Sequence, residues 1–312
     1  MKCDICGGVA VIGMPQHRLN LCAEHFVEWV PRMVERVIRR YAMFTRDERV
    51  LVAVSGGKDS LALWEILIDL GYQTEGVYIH LGIDHDAYSD VSQEHVRRFA
   101  EGHADVPYRV VDVRQEYGLS VPELSKTGRG KRLCSACGLV KRHIMNRIAY
   151  EGGYAAIATG HNLDDEAAVL LQNTLHWQSG YLRRQAPVLP STHPRLARKV
   201  KPLCNLYERE TAAYALVKGI SFVELECPHA TRATTIFYKE LLNKLEGRSR
   251  GAKMQFYLHF LKAKEEGLFA PEKADADSET ALRECRQCGQ PTTAEELCAF
   301  CRLWQNIEAH HD

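Results

Sequence analysis

"RVLVAVSGGKDSLALW", Arg49 to Trp64, is the stretch whose reading decides the fold. An apolar run ends at Val54 on a serine and two glycines, and Ser60 then opens a helical pattern of leucines and tryptophan. A strand that becomes a helix through glycine gathers free backbone amides and the positive helix end around one point, which suits phosphate. The spacing is not the Walker G-x-x-x-x-G-K-[ST], because only Ser55 stands before the glycine pair. A loop this short cannot wrap a β/γ pair. Amides from Gly56 to Ser60, with the Ser55 and Ser60 hydroxyls, suit a pyrophosphate that departs.

Outward from this loop the chain alternates apolar runs with helical patterns. "RVLVAV" leads into "SLALWEILIDLGY" and "EGVYIHLGI" into "DVSQEHVRRFAEGH"; "YRVVDV" and "YAAIATG" follow, the last before "NLDDEAAVLLQNTL". Continuous apolar strands between helices predict an α/β fold, a parallel sheet with helices on both faces. Ligands then gather at the carboxyl ends of the strands. "ATGHNLDDEA" repeats the strand-to-helix passage, with Asp164, Asp165 and Glu166 in the first helical turn, where carboxylates ordinarily just offset the dipole. A further strand-like run, "ISFVELEC", would bring Cys227 to the same rim.

The chain carries eleven cysteines, nearly all in metal-ligand spacing. Cys3, Cys6, Cys22 and His25 form C-x2-C-x15-C-x2-H, with His17 as a poorly spaced alternative ligand; Cys285, Cys288, Cys298 and Cys301 form C-x2-C-x9-C-x2-C. Paired knuckles of this kind close a tetrahedral zinc shell, so two structural Zn2+ are expected. Between them, Cys134, Cys137 and Cys227 supply three thiolates, one short of a closed zinc site. Three readings stay open on the residues alone: a 4Fe-4S cluster with one iron lacking a protein ligand, a zinc with a fourth ligand from elsewhere, or metal-free persulfide chemistry.

At 312 residues, 46% hydrophobic and 26% charged, the chain can bury one substantial core and carry small appendages. No apolar run approaches the roughly 18 residues of a membrane span, and "MKCDICGG" lacks a signal-peptide layout, so a soluble cytoplasmic protein with no membrane association is expected. Net charge is zero, which removes bulk basicity as an argument for nucleic acid. Charge separates locally. Arg183 to Lys201 holds six cations and no carboxylate, "SKTGRGKR" precedes Cys134, and Arg32, Arg36, Arg39 and Arg40 lie largely on one face of the helix after the first knuckles, opposite Phe26, Trp29, Val30, Met33, Val37 and Tyr41. Such runs predict a polyanion surface.

"SGGKDS" resembles the signature of the PP-loop, or N-type, ATP pyrophosphatases, with a Rossmann-like fold of the adenine nucleotide α-hydrolase kind. Together with "CDICG", "LCAEH", "CSACGLVKR", "ATGHNLDDEA", "ECPHA" and "RECRQCGQPTT…CAFCR", nearly the whole chain is similar to the TtuA-type tRNA 2-thiouridine synthetases and their archaeal and eukaryotic relatives. The resemblance implies a tRNA sulfurtransferase. It would use ATP and Mg2+ to adenylate a uridine C2 oxygen, forming AMP and pyrophosphate, and would insert sulfur through a 4Fe-4S cluster. The implied target is position 54, as 5-methyl-2-thiouridine, ahead of wobble position 34.

Carried over by motif, the cluster falls on Cys134, Cys137 and Cys227, and ATP contacts fall on Ala53, Ser55, Gly56, Gly57, Lys58, Asp59, Ser60, Ile79 and Gly160. Lys141 and Asp165 take catalytic places, Asp59 is a magnesium or acid/base candidate, and His80, Cys204 and His229 receive no role. The implied partners are tRNA, a ubiquitin-like carrier with a C-terminal thiocarboxylate, and a second copy in a homodimer. The implied organisation is a zinc finger (1–27), a connecting helix (28–48), the PP-loop catalytic domain (49–265), a linker (266–282) and a second zinc finger (283–312). A different PP-loop activity such as lysidine synthesis, or a zinc-knuckle RNA-binding module without catalysis, are the rival readings.

Overall fold

The computed structural model describes residues 1–83, 85–126, 133–230, 234–269 and 282–305. The chain opens with a hairpin of β1 (Ile12–Met14) and β2 (Leu19–Leu21) and passes through Cys22 into α1 (Ala23–Arg40). The core then runs β3 (Arg49–Ala53), α2 (Lys58–Asp69), β4 (Gln73–His80), α3 (Tyr88–Glu101), β5 (Tyr108–Asp112), α4 (Val113–Tyr117), α5 (Val121–Lys126), α6 (Leu133–Glu151), β6 (Ala156–Thr159) and α7 (Leu163–Leu175). After α8 (Ser179–Arg184) come β7 (Val188–Leu189) and β8 (Arg198–Val200), and then α9 (Glu208–Val217), α10 (Thr234–Arg248) and α11 (Ala252–Glu265). A small hairpin, β9 (Arg283–Glu284) with β10 (Pro291–Thr292), and α12 (Ala299–Trp304) end the described chain.

Six strands form the main sheet in the order β5-β4-β3-β6-β8-β7. The first five are parallel, and β7 adds an antiparallel edge that the sequence pattern did not announce. Val50 and Val52 bury into one apolar cluster and Leu51, between them, into the other, so both faces of β3 are covered. The chain leaves β3 for β4 and β5 on one side and returns to β6 and β8 on the other, which puts a switch point between β3 and β6.

Each finger extends one of these two clusters. Cys3, Ile12, Met14 and Leu21 pack with α1 and α2 on one face, whereas Cys285, Cys298, Phe300 and Cys301 pack with α6, Leu51 and Ile157 on the other. In α1 the buried line is Phe26, Val30, Val34, Val37 and Ile38; Trp29, Met33 and Tyr41, expected beside them, are only half-buried.

Two expectations need correction. "ISFVELEC" is not a strand: residues 224–226 are all exposed, and no residue from 221 to 230 is buried as a sheet strand would be. The segment instead hands its Val223 amide to the carbonyl of Gly56 at 2.9 Å. The basic run from Arg183 to Lys201, expected to form a polyanion surface, is partly tied into the fold instead. It contributes β7 and β8, and Arg195, Arg198 and Lys201 reach Glu284, Glu48 and Glu166 at 3.3, 3.6 and 2.7 Å. Carboxylates absent from the run are supplied by the fold. Most of "SKTGRGKR" (127–132), most of the linker (270–281) and residues 306–312 lie outside the described residues.

Candidate active site

β3 stops at Ala53 and α2 begins at Lys58, while β6 stops at Thr159 and α7 begins at Leu163. Connections this short aim both helix N-termini at the gap between β3 and β6. The Ser60 hydroxyl closes the first loop, accepting from the Ser55 amide and donating to the Gly57 carbonyl, both at 3.0 Å. Gly56 has φ of +79°, and a Cβ there would stand 2.5 Å from the carbonyl oxygen of Ser92. A Cβ on Gly160 would meet the backbone of Asp59 and Ser60 at 2.9 Å. Glycine at 160 therefore lets the two strand-end loops touch.

Between the loops lies a cavity of about 360 Å³. Ala53, Ser55, Asp59, Ser60, Ile79, Lys141 and Gly160 line it, together with Tyr88, Ser92, Met145 and His161. Gly56, Gly57, Lys58 and Asp165 are not on its wall.

Asp165 is held from two sides. Its Oδ2 accepts the Asn162 amide at 3.0 Å in a capping box, and its Oδ1 lies 2.6 Å from the Lys239 ammonium. From Lys239 an alternating chain of charges runs to Glu208 at 3.0 Å, on to Lys58 at 2.7 Å and to Asp59 at 3.0 Å. The Thr211 hydroxyl donates to the other oxygen of Asp59. Burial pushes the Asp59 carboxyl above its ordinary range, Lys58 and Thr211 pull it back, and the Asp165 charge adds to the rise. Burial opposes ionisation of Glu208, yet its two lysines hold it below the usual carboxylate range.

The other first-turn carboxylates are structural. Asp164 is buried, meets Lys253 at 2.5 Å and accepts the Glu208 amide at 2.9 Å; Glu166 is buried against Lys201. Glu208, Lys239 and Thr211 escaped the sequence reading because no glycine or motif spacing marks them. They arrive through the packing of α9 on α2 and α10 on α7.

Lys141 on the cavity wall also neighbours the thiols. Burial pushes the Cys137 thiol up, Lys141 partly offsets this, and Cys227 and Cys134 add to the rise, so the three sulfurs sense one another. Tyr88, on the cavity wall, is raised by burial and by its neighbours Cys227 and Cys137. Cys134 Sγ lies 3.7 Å from the His229 carbonyl, which ties α6 to the segment bearing Cys227. Among the described residues this trio does not gather within 4.8 Å as a single-ion site does. Three thiolates that sense one another at one rim are a donor set that fits a 4Fe-4S cluster with one iron left without a protein ligand.

The terminal sets are tighter. Cys3, Cys6, Cys22 and His25 bring their ligand atoms within 4.8 Å, as do Cys285, Cys288, Cys298 and Cys301, and both sets fit one tetrahedral zinc each. Cys22 and Cys298 are the N-caps of α1 and α12, which puts His25 and Cys301 three residues on in the first turn. Burial opposes the Cys3 thiolate, but the amides of Cys6, Cys22 and Ile5 outweigh it and bring that thiol down to about 6. His17 is elsewhere, 3.0 Å from Glu210. Cys204 is fully buried and its thiol is pushed far up; His80 caps its strand between Asp90 and Asp112.

Residues 30–235 match the family described as PP-loop domain, and residues 2–27 match the N-terminal LIM domain of the 2-thiouridine synthetase TtuA. The chain is 48% identical over 307 residues to the tRNA-5-methyluridine(54) 2-sulfurtransferase of Thermus thermophilus, covering 98% of this chain and 92% of that protein. It is 44% identical over 309 residues to the enzyme of the same name from Thermotoga maritima, covering 99% and 97%. In three dimensions it is similar to the U34-tRNA thiolase NcsA of Methanococcus maripaludis, solved with its 4Fe-4S cluster, at a TM-score of 0.80, 23% identity, and coverage of 98% and 96%. No helix among the described residues is long and apolar enough to cross a membrane.

Proposed function

Because the chain belongs to the TtuA-type 2-thiouridine synthetases of the PP-loop family, we propose that it is an ATP-dependent tRNA 2-sulfurtransferase acting on 5-methyluridine 54. The observation that carries this reading is one shared lysine. Lys141 lines a nucleotide-sized cavity at the sheet's switch point and also neighbours the Cys137 thiol, which brings the nucleotide site and the sulfur chemistry together. Position 54 is favoured over 34 because relatives sharing close to half of the residues are named for position 54.

The uridine C2 oxygen attacks the α-phosphorus of ATP, a P–O bond to that oxygen forms, and the bond to pyrophosphate breaks. The amides from Gly56 to Ser60, at the positive end of α2, receive the departing charge. Lys58 must leave Glu208 to meet the phosphates, and Lys141 stands on the cavity wall beside Cys137 to share that charge. Asp59 and Asp165 are the carboxylates that would hold Mg2+, which neutralises phosphate oxygens when bound. Cys134, Cys137 and Cys227 would hold the 4Fe-4S cluster, which supplies an iron free of protein ligands for exogenous sulfur. Attack of sulfur on C2 then expels the original oxygen within AMP. Lys141 is placed to stabilise that leaving phosphate.

A ubiquitin-like protein thiocarboxylate as sulfur source, a homodimeric assembly and work in the cytoplasm complete the proposal. Its test is anaerobic incubation of the iron-loaded protein with unmodified tRNA, ATP and sulfide, followed by nucleoside mass spectrometry and AMP counting. One 5-methyl-2-thiouridine per AMP, mapped to position 54, is expected. Sulfur at position 34 would assign it to the wobble enzymes, and AMP with no thiolated base to a different PP-loop chemistry.

A further inference from the structure

The cations expected to grip RNA are largely engaged within the protein. Arg32 and Arg39 pair with Glu28 and Glu35 at 2.8 Å along α1, and Arg195, Arg198 and Lys201 have carboxylate partners. Three other arginines stand differently. Arg18, Arg209 and Arg250 are exposed, and among the described residues none has an ion pair or a side-chain hydrogen bond. They come from the first finger, α9 and the α10–α11 turn, yet all three line one hollow of about 360 Å³, and Arg250 continues into two adjoining hollows of about 430 and 510 Å³, with Arg209 in the first and Arg18 in the second. The two outer hollows contain no carboxylate. In the inner one, Asp164, Glu208 and Glu246 are all taken: by Lys253, by Lys58 and Lys239, and by the amides of Gly251 and Lys253.

The position of the inner hollow is informative. Its wall includes Glu208, which pairs with Lys58 of the phosphate loop and with Lys239 beside Asp165, so the cleft runs from the flank of that charge chain to Pro15 and Gln16 of the first finger. Arg18 holds φ of +51°, left-handed backbone that a residue with a Cβ adopts under strain, and it keeps a guanidinium at the outer mouth. Unpaired cations converging along a cleft that borders the charge chain match a polyanion laid through it.

We infer that this cleft holds the sugar–phosphate backbone of the substrate tRNA next to the nucleotide delivered for thiolation, an inference that rests on the thiolation reading above. Arginine forks suit phosphodiester oxygens, and contacts of this kind position the strand without reading its sequence.

The test uses anaerobically prepared holoenzyme carrying R18N, R209Q and R250Q together, asparagine being chosen because it tolerates left-handed backbone. Binding of unmodified tRNA is titrated at several salt concentrations beside the wild type and a triple lysine variant. The neutral triple variant should bind at least about tenfold more weakly, with the slope of log K against log salt smaller by about 2 to 3; the lysine variant should keep that slope. ATP affinity and zinc content should stay unchanged. Unaltered tRNA affinity and slope would overturn the inference. So would unaltered tRNA binding with thiolation lost only when a protein thiocarboxylate, and not sulfide, supplies sulfur, because the cleft would then receive the carrier. Wild-type protein that neither binds nor thiolates tRNA would remove the thiolation reading and the cleft with it.

Discussion

Asp165 owes its orientation to two neighbours, and only one of them is in its own helix. The Asn162 amide fixes Oδ2 through the capping box, but Oδ1 is aimed by Lys239 from α10. Replacing Lys239 by Met should leave the cap and free the other oxygen, so that kcat falls on the order of 10²-fold while the Km for tRNA stays level. Single-turnover thiolation against ATP affinity reads this directly, and an unchanged kcat would reduce Lys239 to a surface pairing. At the loop contact a sharper effect is expected. Gly160→Ala drives a methyl against the backbone of Asp59 and Ser60 at 2.9 Å, where no flexible side chain can yield. Nucleotide binding should be lost at millimolar ATP, with a loss of stability of about 1–3 kcal/mol; calorimetric titration and thermal melts check both. Glycines 56, 57 and 160 were legible in the sequence because the motifs contain them. The aim of Asp165 was not, because Lys239 is 74 residues away and enters only through the packing of α10 on α7.

Helix α6 serves two neighbours from two faces. Cys137, Lys141 and Met145 follow one another at i, i+4 and turn toward the cavity and the thiols, while His143 faces the second finger. Its ring stacks on Phe300 at 3.7 Å between centroids and 2° between planes, and Gln290 donates to its carbonyl at 3.1 Å. Burial, helped by Arg147, pulls His143 down from 6.5 to about 4. A ring freed by unfolding takes up its proton near 6.5, whereas the docked ring resists until about 4. The depressed value therefore contributes stability above pH 6.5 that is lost as pH falls toward 4, up to roughly 3 kcal/mol. Melting curves of zinc-loaded wild type and His143→Gln should converge across that window, since loss of zinc affects both alike. Parallel curves would remove His143 from the docking. The knuckles themselves were plain from C-x2-C spacing. Which face of the sheet each would cover was not, because that is decided by Phe300, Leu21 and Phe26 packing into clusters of distant residues. The misread strand at Cys227 has the same origin: "ISFVELEC" has strand composition, but Glu224, Leu225 and Glu226 are all exposed and no sheet edge takes them.

Across the whole molecule, the fingers cover opposite faces of one sheet and the chemistry sits at its carboxyl rim. Stripping zinc from the first quartet should thus disturb more than a small appendage. Cys3, Ile12, Met14 and Leu21 share a cluster with α1 and α2, so Cys22→Ser should lower the melting temperature of the entire fold. The middle thiols behave differently, because they are half-buried or exposed, and Cys137 and Cys227 only border the second cluster without being buried in it. In the proposed mechanism adenylation uses the two loops, the charge chain and Lys141, and sulfur insertion uses Cys134, Cys137 and Cys227 in addition. Serine at any one of the three should accordingly leave zinc content, melting temperature and tRNA-stimulated pyrophosphate release within about twofold, with 2-thiouridine formation and bound iron lost. Retained thiolation in iron-free protein would replace the cluster by persulfide chemistry on the same residues. Loss of pyrophosphate release along with thiolation would mean that the thiols shape the nucleotide site itself, through Tyr88 and Lys141, and that the two half-reactions cannot be separated.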